Sequence, residues 1–189
     1  RSVQIHICSS IGLMIFLTGC TQENRELASA MQLRENILSA QACSFQANVT
    51  ADYGDSLCSF SMDCQTDSTG TIQFEITSPQ SIAGIKGNIS DAGGNITFDD
   101  QALYFPLLTD DLLIPASAPW IFMKTLRSGY ITAVCTEDGL LHMTVNDSYA
   151  DDALTLDIWL NEEHLPIRGD ILHNGTRILS LEVENFRIL

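Results

Sequence analysis

The chain has 189 residues and a formal net charge of −15, from 9 Lys and Arg against 24 Asp and Glu. With 45% apolar residues it can bury a core, which excludes wholesale disorder and suits one domain. The acid excess excludes nucleic acid as a partner and a polybasic grip on anionic lipid, because both need clustered Lys and Arg.

The first segment is an address. Residues 7–17, ICSSIGLMIFL, form an apolar stretch followed by Thr18, Gly19 and Cys20. A membrane-spanning helix needs about 20 apolar residues, so this run is too short to span. Its length is that of the apolar region of a secretory signal peptide, with Arg1 as the only positive charge ahead of it. Leu17-Thr18-Gly19-Cys20 resembles the lipobox of bacterial lipoproteins. The resemblance implies a signal peptide over 1–19, cleavage before Cys20, a diacylglycerol group on its thiol and a short lipidated tether over 20–22. It places the protein at the cell membrane on its extracytoplasmic face, or at an outer membrane if the organism has one.

Residues 23–42, ENRELASAMQLRENILSAQA, put Leu27, Met31, Leu33, Ile37, Leu38 and Ala42 near helical spacing. Glu23 and Glu26 sit in the first turn, where the helix dipole favours acid. The expectation is an amphipathic helix with one face to bury.

Beyond it the period becomes two. Cys58, Phe60, Met62 and Cys64 alternate with polar residues, as do Ile72, Phe74 and Ile76. Leu141, Met143 and Val145 follow the same pattern, then Leu154, Leu156, Ile158 and Leu160, then Leu179, Leu181 and Val183. Each reads as a strand of an antiparallel sheet with one apolar face. Gly-containing turn signals at residues 53–55, 67–70, 91–94, 137–139 and 173–175 separate them. The expected fold is α+β and mainly antiparallel: an open half-barrel of about ten strands. The N-terminal helix and a central helical insertion cover its concave face. The insertion is residues 107–129, where Pro115 and Pro119 interrupt the strand spacing and a short helix runs from Pro119 to Arg127.

Cys43, Cys58, Cys64 and Cys135 remain once Cys8 leaves with the signal and Cys20 is lipidated. Cys58 and Cys64 share a strand and would lie about 20 Å apart, too far for a bridge. A hairpin turning at Tyr53-Gly54 sets Cys43 opposite Cys64, whereas a turn at Gly54-Asp55 makes them diagonal neighbours. A Cys43–Cys64 disulfide and four free thiols are both open on this reading.

Lipobox, helix, strands, a Pro-containing helical insertion and further strands together resemble the LolA/LolB-like lipoprotein superfamily. The stretch FEITSPQSIAGIKGNISDAGGNITFDDQALYF (74–105) carries much of the likeness, as does WLNEEHLPIRGDILHNGTRILSLEVENF (159–186). The resemblance covers residues 23–189. It implies a half-barrel whose apolar cavity holds acyl chains or other amphiphiles. The inward strand residues Phe60, Met62, Phe74, Ile76, Met143, Val145, Leu156 and Ile158 are the candidate lining, with Phe105, Trp120 and Phe122 at the mouth. Met and aromatic side chains suit an adaptable apolar pocket. The same residues could equally pack against the two helices and leave no cavity.

No G-x-S-x-G, P-loop, G-x-G-x-x-G, H-E-x-x-H or EF-hand pattern occurs, so the chain reads as a non-enzyme with no catalytic residue, cofactor or metal site. His142, His164 and His173 read as solvated side chains, and the paired aspartates as turns. Two functions remain. One is a lipid-anchored binding module holding an amphiphile. The other is an envelope interaction or regulatory lipoprotein with a filled core and an envelope protein as partner.

Overall fold

A computed structural model describes residues 19–98, 101–105, 108–109 and 112–189. The apolar address, residues 7–17, lies outside the described residues, as does the side chain of Cys20.

Helix α1 spans Gly19–Ser39. It therefore includes residues 20–22, expected as a tether, and ends before Ala42, which the helical spacing had included. The reason is competition at the C-terminal side. Gln41 N–H donates to the Leu189 carbonyl (3.0 Å), and Leu189 N–H donates back to Ala42 (2.8 Å). The chain end thus captures residue 42 as the start of a strand. The buried face of α1 is also narrower than expected. Ala30, Leu33 and Ile37 are buried, whereas Leu27, Met31 and Leu38 are 43–52% exposed.

Six strands follow: β1 (Ala42–Asp52), β2 (Leu57–Asp67), β3 (Ile72–Ser78), β4 (Lys86–Ser90), β5 (Gly93–Phe98) and β6 (Gln101–Phe105). The two-residue strands β7 (Leu108–Thr109) and β8 (Leu112–Leu113) pair only with each other. A 3-10 turn at Pro115–Ser117 leads into helix α2 (Ala118–Ser128). The chain closes with β9 (Tyr130–Glu137), β10 (Leu140–Asn146), β11 (Leu154–Leu160), β12 (Pro166–His173) and β13 (Thr176–Ile188).

Eleven strands form one unclosed antiparallel sheet in the order β6-β5-β4-β3-β2-β1-β13-β12-β11-β10-β9. The order is two meanders joined back to back by the β1–β13 pair. From β1 the chain steps outward to β6 at one edge, then must cross the sheet to reach β9 at the other. That crossing is the central insertion, and its described part, from Leu113 through α2, is buried on the apolar face, where its own apolar content finds cover. The result is an open half-barrel with α1 and α2 over one face.

Turn chemistry fixes the registers. The β1–β2 hairpin pairs Cys43 with Thr66 and Phe45 with Cys64, so the turn is centred on Gly54-Asp55 and the two cysteines are diagonal. Both are free, buried thiols, so of the two readings left open the free thiols hold for this pair. Burial pushes the ionisation of Cys64, and to a lesser degree Cys43, well above the usual thiol range. At the β2–β3 turn, Asp67 Oδ1 accepts from the Thr69 hydroxyl (2.6 Å) and from Thr69 and Thr71 N–H (2.9 and 3.1 Å). The Thr69 hydroxyl, with these amides, holds the Asp67 carboxyl below its ordinary value.

Candidate functional site

The candidate site is the apolar face of the sheet and what lies on it. Period-two alternation aims one side chain in two at this face. Met62, Phe74 and Ile76 come from one meander, and Met143, Val145, Leu156 and Ile158 from the other. All seven are buried as expected, from 7% exposure at Ile76 to zero at Val145, Leu156 and Ile158. Phe60 packs against them half-buried. Phe105 closes β6, and its side chain lies outside the described residues.

Trp120 and Phe122 are not at a mouth. They sit in the core, at 6% and 0% exposure. Eight of the eleven residues of α2 are buried: Ala118, Pro119, Trp120, Ile121, Phe122, Met123, Thr125 and Leu126. A helix that capped a sheet would bury one stripe and wet the other. This one is enclosed on most of its circumference, so it occupies the half-barrel rather than covering it. Pro119 in the first turn fits a helix start, where the missing N–H removes no bond.

The sheet is shaped for the helix at one point. A Cβ added to Gly169 on β12 would stand 2.7 Å from Phe122 Cδ2 and Cε2. The Phe122 ring therefore lies directly on glycine backbone. The inward residues around it have essentially no accessible surface, and internal voids the size of water would have given them some. Around Phe122 the apolar face is filled by the helix itself.

Polar ties hold α2 at its rim. Arg34 on α1 donates from Nε to the Leu126 carbonyl (2.8 Å), which serves the last turn of α2 where carbonyls lack helical partners. Its Nη2 is buried without a partner, and burial lowers its pKa. Arg127 donates to the Ser68 carbonyl (2.9 Å), and Lys124 pairs with Asp91 (2.6 Å) while lying over the Trp120 ring (4.6 Å). Tyr53 donates its hydroxyl to the Leu113 carbonyl, tying the approach to α2 to the end of β1. None of these ties replaces a sheet hydrogen bond.

The opposite face is polar. An open trough of about 780 Å³ runs across it, lined by residues such as Gln46, Asp63, Gln73, Glu75, Lys86 and Arg187. Farther along, Asp170 is a nearly buried carboxylate held by Arg168 (2.6 Å), Arg177 (3.4 Å) and Ser180 (2.7 Å). The Asp170 contact is the main cause holding the Arg168 guanidinium above its ordinary value. Beside it lies an array that motif spacing does not join: Cys135, His142 and Asp157 on β9, β10 and β11. The signal was available, since a hairpin centred on Asp138-Gly139 sets Cys135 directly opposite His142.

No family model matches the sequence, and no curated protein matches it. Solved structures do. An uncharacterized conserved protein from Thermus thermophilus aligns with a TM-score of 0.47 and 12% identity, covering 85% of this chain and 88% of that one. A LolA superfamily protein from Nitrosomonas europaea aligns at 0.45 and 8%, covering 85% and 93%. The Mycobacterium tuberculosis lipoprotein LppX aligns at 0.44 and 14%, covering 87% and 96%. No site residue is transferred through these alignments.

Proposed function

We propose that the chain is a lipid-anchored, extracytoplasmic, non-enzymatic binding module, closed on its own helix in the state described. Its ligand is an acyl chain or another elongated amphiphile that takes the place of α2. Cys20 is the lipidated residue, residues 1–19 are the signal peptide, and the membrane is reached through that anchor. The observation that carries this reading is the enclosure of α2. The half-barrel wraps an elongated apolar body, and the sheet's hydrogen bonds do not depend on which body it is.

The energies are comparable. Trp120, Ile121, Phe122, Met123 and Leu126 together gain about 7–15 kcal/mol from burial, an upper figure because the displaced helix re-buries part of its surface. A sixteen-carbon chain gains about 12 kcal/mol at about 0.8 kcal/mol per methylene. An amphiphile can therefore compete with the helix, whereas a short ligand cannot.

A second reading is favoured by the near-zero exposure of the inward residues. In it α2 is permanent core, and the protein acts on an envelope protein through its surface. Native mass spectrometry of the chain lacking residues 1–19 separates the two. A co-purified or added lipid retained at one per chain supports the binding module. A clean apo mass after incubation with lipid vesicles supports the filled-core protein. Metabolic labelling with an alkyne fatty acid, lost in Cys20→Ala, tests the anchor independently.

A further inference from the structure

On the polar face, Cys135, His142 and Asp157 stand on three adjacent strands. Cys135 Sγ lies 3.6 Å from His142 Nδ1, and His142 Nε2 lies 3.2 Å from Asp157 Oδ1. The thiol is exposed, and the imidazole is 17% exposed. The ring is held from several sides. It stacks on Trp159 at 4.7 Å between centroids and 13° between planes. The indole is fixed in turn by its N–H to Glu137 Oε2 (2.9 Å) and by the Arg168 guanidinium, which lies over the indole ring (4.3 Å to its centroid). Asp157 is fixed by the Thr144 hydroxyl (2.7 Å).

The ring acts as a base in the tautomer that carries its proton on Nε2, where the nearer carboxylate, Asp157, accepts it. Nδ1 then presents a lone pair to the Cys135 thiol. Glu137 Oε2 also lies 3.6 Å from Nδ1. It favours the imidazolium that would form and opposes a neighbouring thiolate, so the charged groups facing the ring are Asp157 from β11 and Glu137 from β9. A nucleophile, a base within reach and a third group orienting the base are the parts of an activated thiol.

We propose that Cys135 is a reactive thiol and a modification site for small disulfides, with His142 as its base and Asp157 as the residue positioning that base. The thiol proton passes to His142 Nδ1. The thiolate attacks one sulfur of the disulfide, so a Cys135–sulfur bond forms as the disulfide bond breaks. The electron pair leaves on the departing thiolate, which takes the proton back from the imidazolium. The protein thiol is oxidised to a mixed disulfide, and half of the small disulfide is reduced to a free thiol. The open sheet face admits such a ligand without any rearrangement of the fold.

Cys58 is also exposed and serves as the internal reference. The full chain is incubated with hydroxyethyl disulfide, which is uncharged and so insensitive to the acidic surface, and adducts are followed by peptide mass spectrometry. Cys135 is expected to react about tenfold or more faster than Cys58. His142→Gln brings its rate down to that of Cys58 without changing Cys58, and Asp157→Asn lowers it as well. Equal rates at Cys135 and Cys58 in the unsubstituted chain overturn the proposal, as does a fast Cys135 indifferent to His142→Gln. Unfolding in a variant would declare itself as adducts on buried Cys43 and Cys64, and the unsubstituted comparison then decides alone.

Discussion

Gly169→Ala tests the packing of α2 against the sheet at its tightest point. The new methyl would stand 2.7 Å from two carbons of the Phe122 ring. Real carbon pairs need more than a further half-ångström, and Phe122 has no exposed surface to retreat into. Overpacking of this kind costs about 1–3 kcal/mol. Losing glycine's freedom in the unfolded chain returns about 0.4–1 kcal/mol, since the backbone at 169 is not in the left-handed region. The net expectation is a destabilisation of about 1–2 kcal/mol by the same balance. Urea unfolding followed by tryptophan fluorescence measures it, because buried Trp120 on α2 becomes exposed as the chain unfolds. Phe122→Leu in the Gly169→Ala background should recover part of the loss, giving a coupling of opposite sign to the single effects. A neutral or stabilising Gly169→Ala, or additive losses in the double variant, would refute the claim that the ring rests on bare backbone.

Arg34→Met should cost about 1–3 kcal/mol by leaving the Leu126 carbonyl without its donor, read as a lowered urea midpoint. Asp170→Asn should cost a similar amount, about 1–3 kcal/mol, because Arg168 loses its close carboxylate, and thermal unfolding checks it. Raised thiol pKa values in the folded state make stability fall as pH climbs past the ordinary thiol value of about 8.5, where unfolded Cys43 and Cys64 ionise and the folded ones do not. The slope of stability against pH above that point should therefore be shallower in Cys64→Ala.

The β-strands were legible where alternation was clean, as from Cys58 to Cys64 and from Leu154 to Leu160, because burial on one face writes itself into the sequence at period two. β1 was harder. Its inward residues include Ala47 and Ala51, small enough that they do not read as apolar, yet both are fully buried at the centre of the sheet. The short helix expected from Pro119 to Arg127 falls within a residue of the observed ends of α2, but its depth was not legible. An apolar run shows that a helix must be buried and says nothing of how many sides the partner covers. The face of α1 was misjudged for a related reason. Leu27, Met31 and Leu38 satisfy helical spacing as well as Leu33 and Ile37 do, and only the position of the sheet selects between them. The Cys135–His142–Asp157 array was invisible to motif reading because its members come from three strands and meet only through register.

The depth of α2 makes folding and binding opposed in the binding-module reading, and this gives a test that a single variant cannot. If an amphiphile competes with α2 for the half-barrel, free energy removed from the α2 contact is removed from the competitor, and the population able to bind rises in proportion. Gly169→Ala, Arg34→Met and Phe122→Ala, the last costing about 3–5 kcal/mol, should then bind a fluorescent fatty acid more tightly the more they destabilise the closed state. Each 1.4 kcal/mol lost would correspond to as much as about tenfold in affinity, until the closed state is no longer dominant. If α2 is permanent core, the same variants lose stability and take up no more ligand than the unsubstituted chain. The sign and slope of affinity against stability across the series therefore decide whether α2 is a competitor or a wall. Asp170→Asn, on the polar face, should lose stability without gaining affinity, and so falls off the line only if α2 is a competitor.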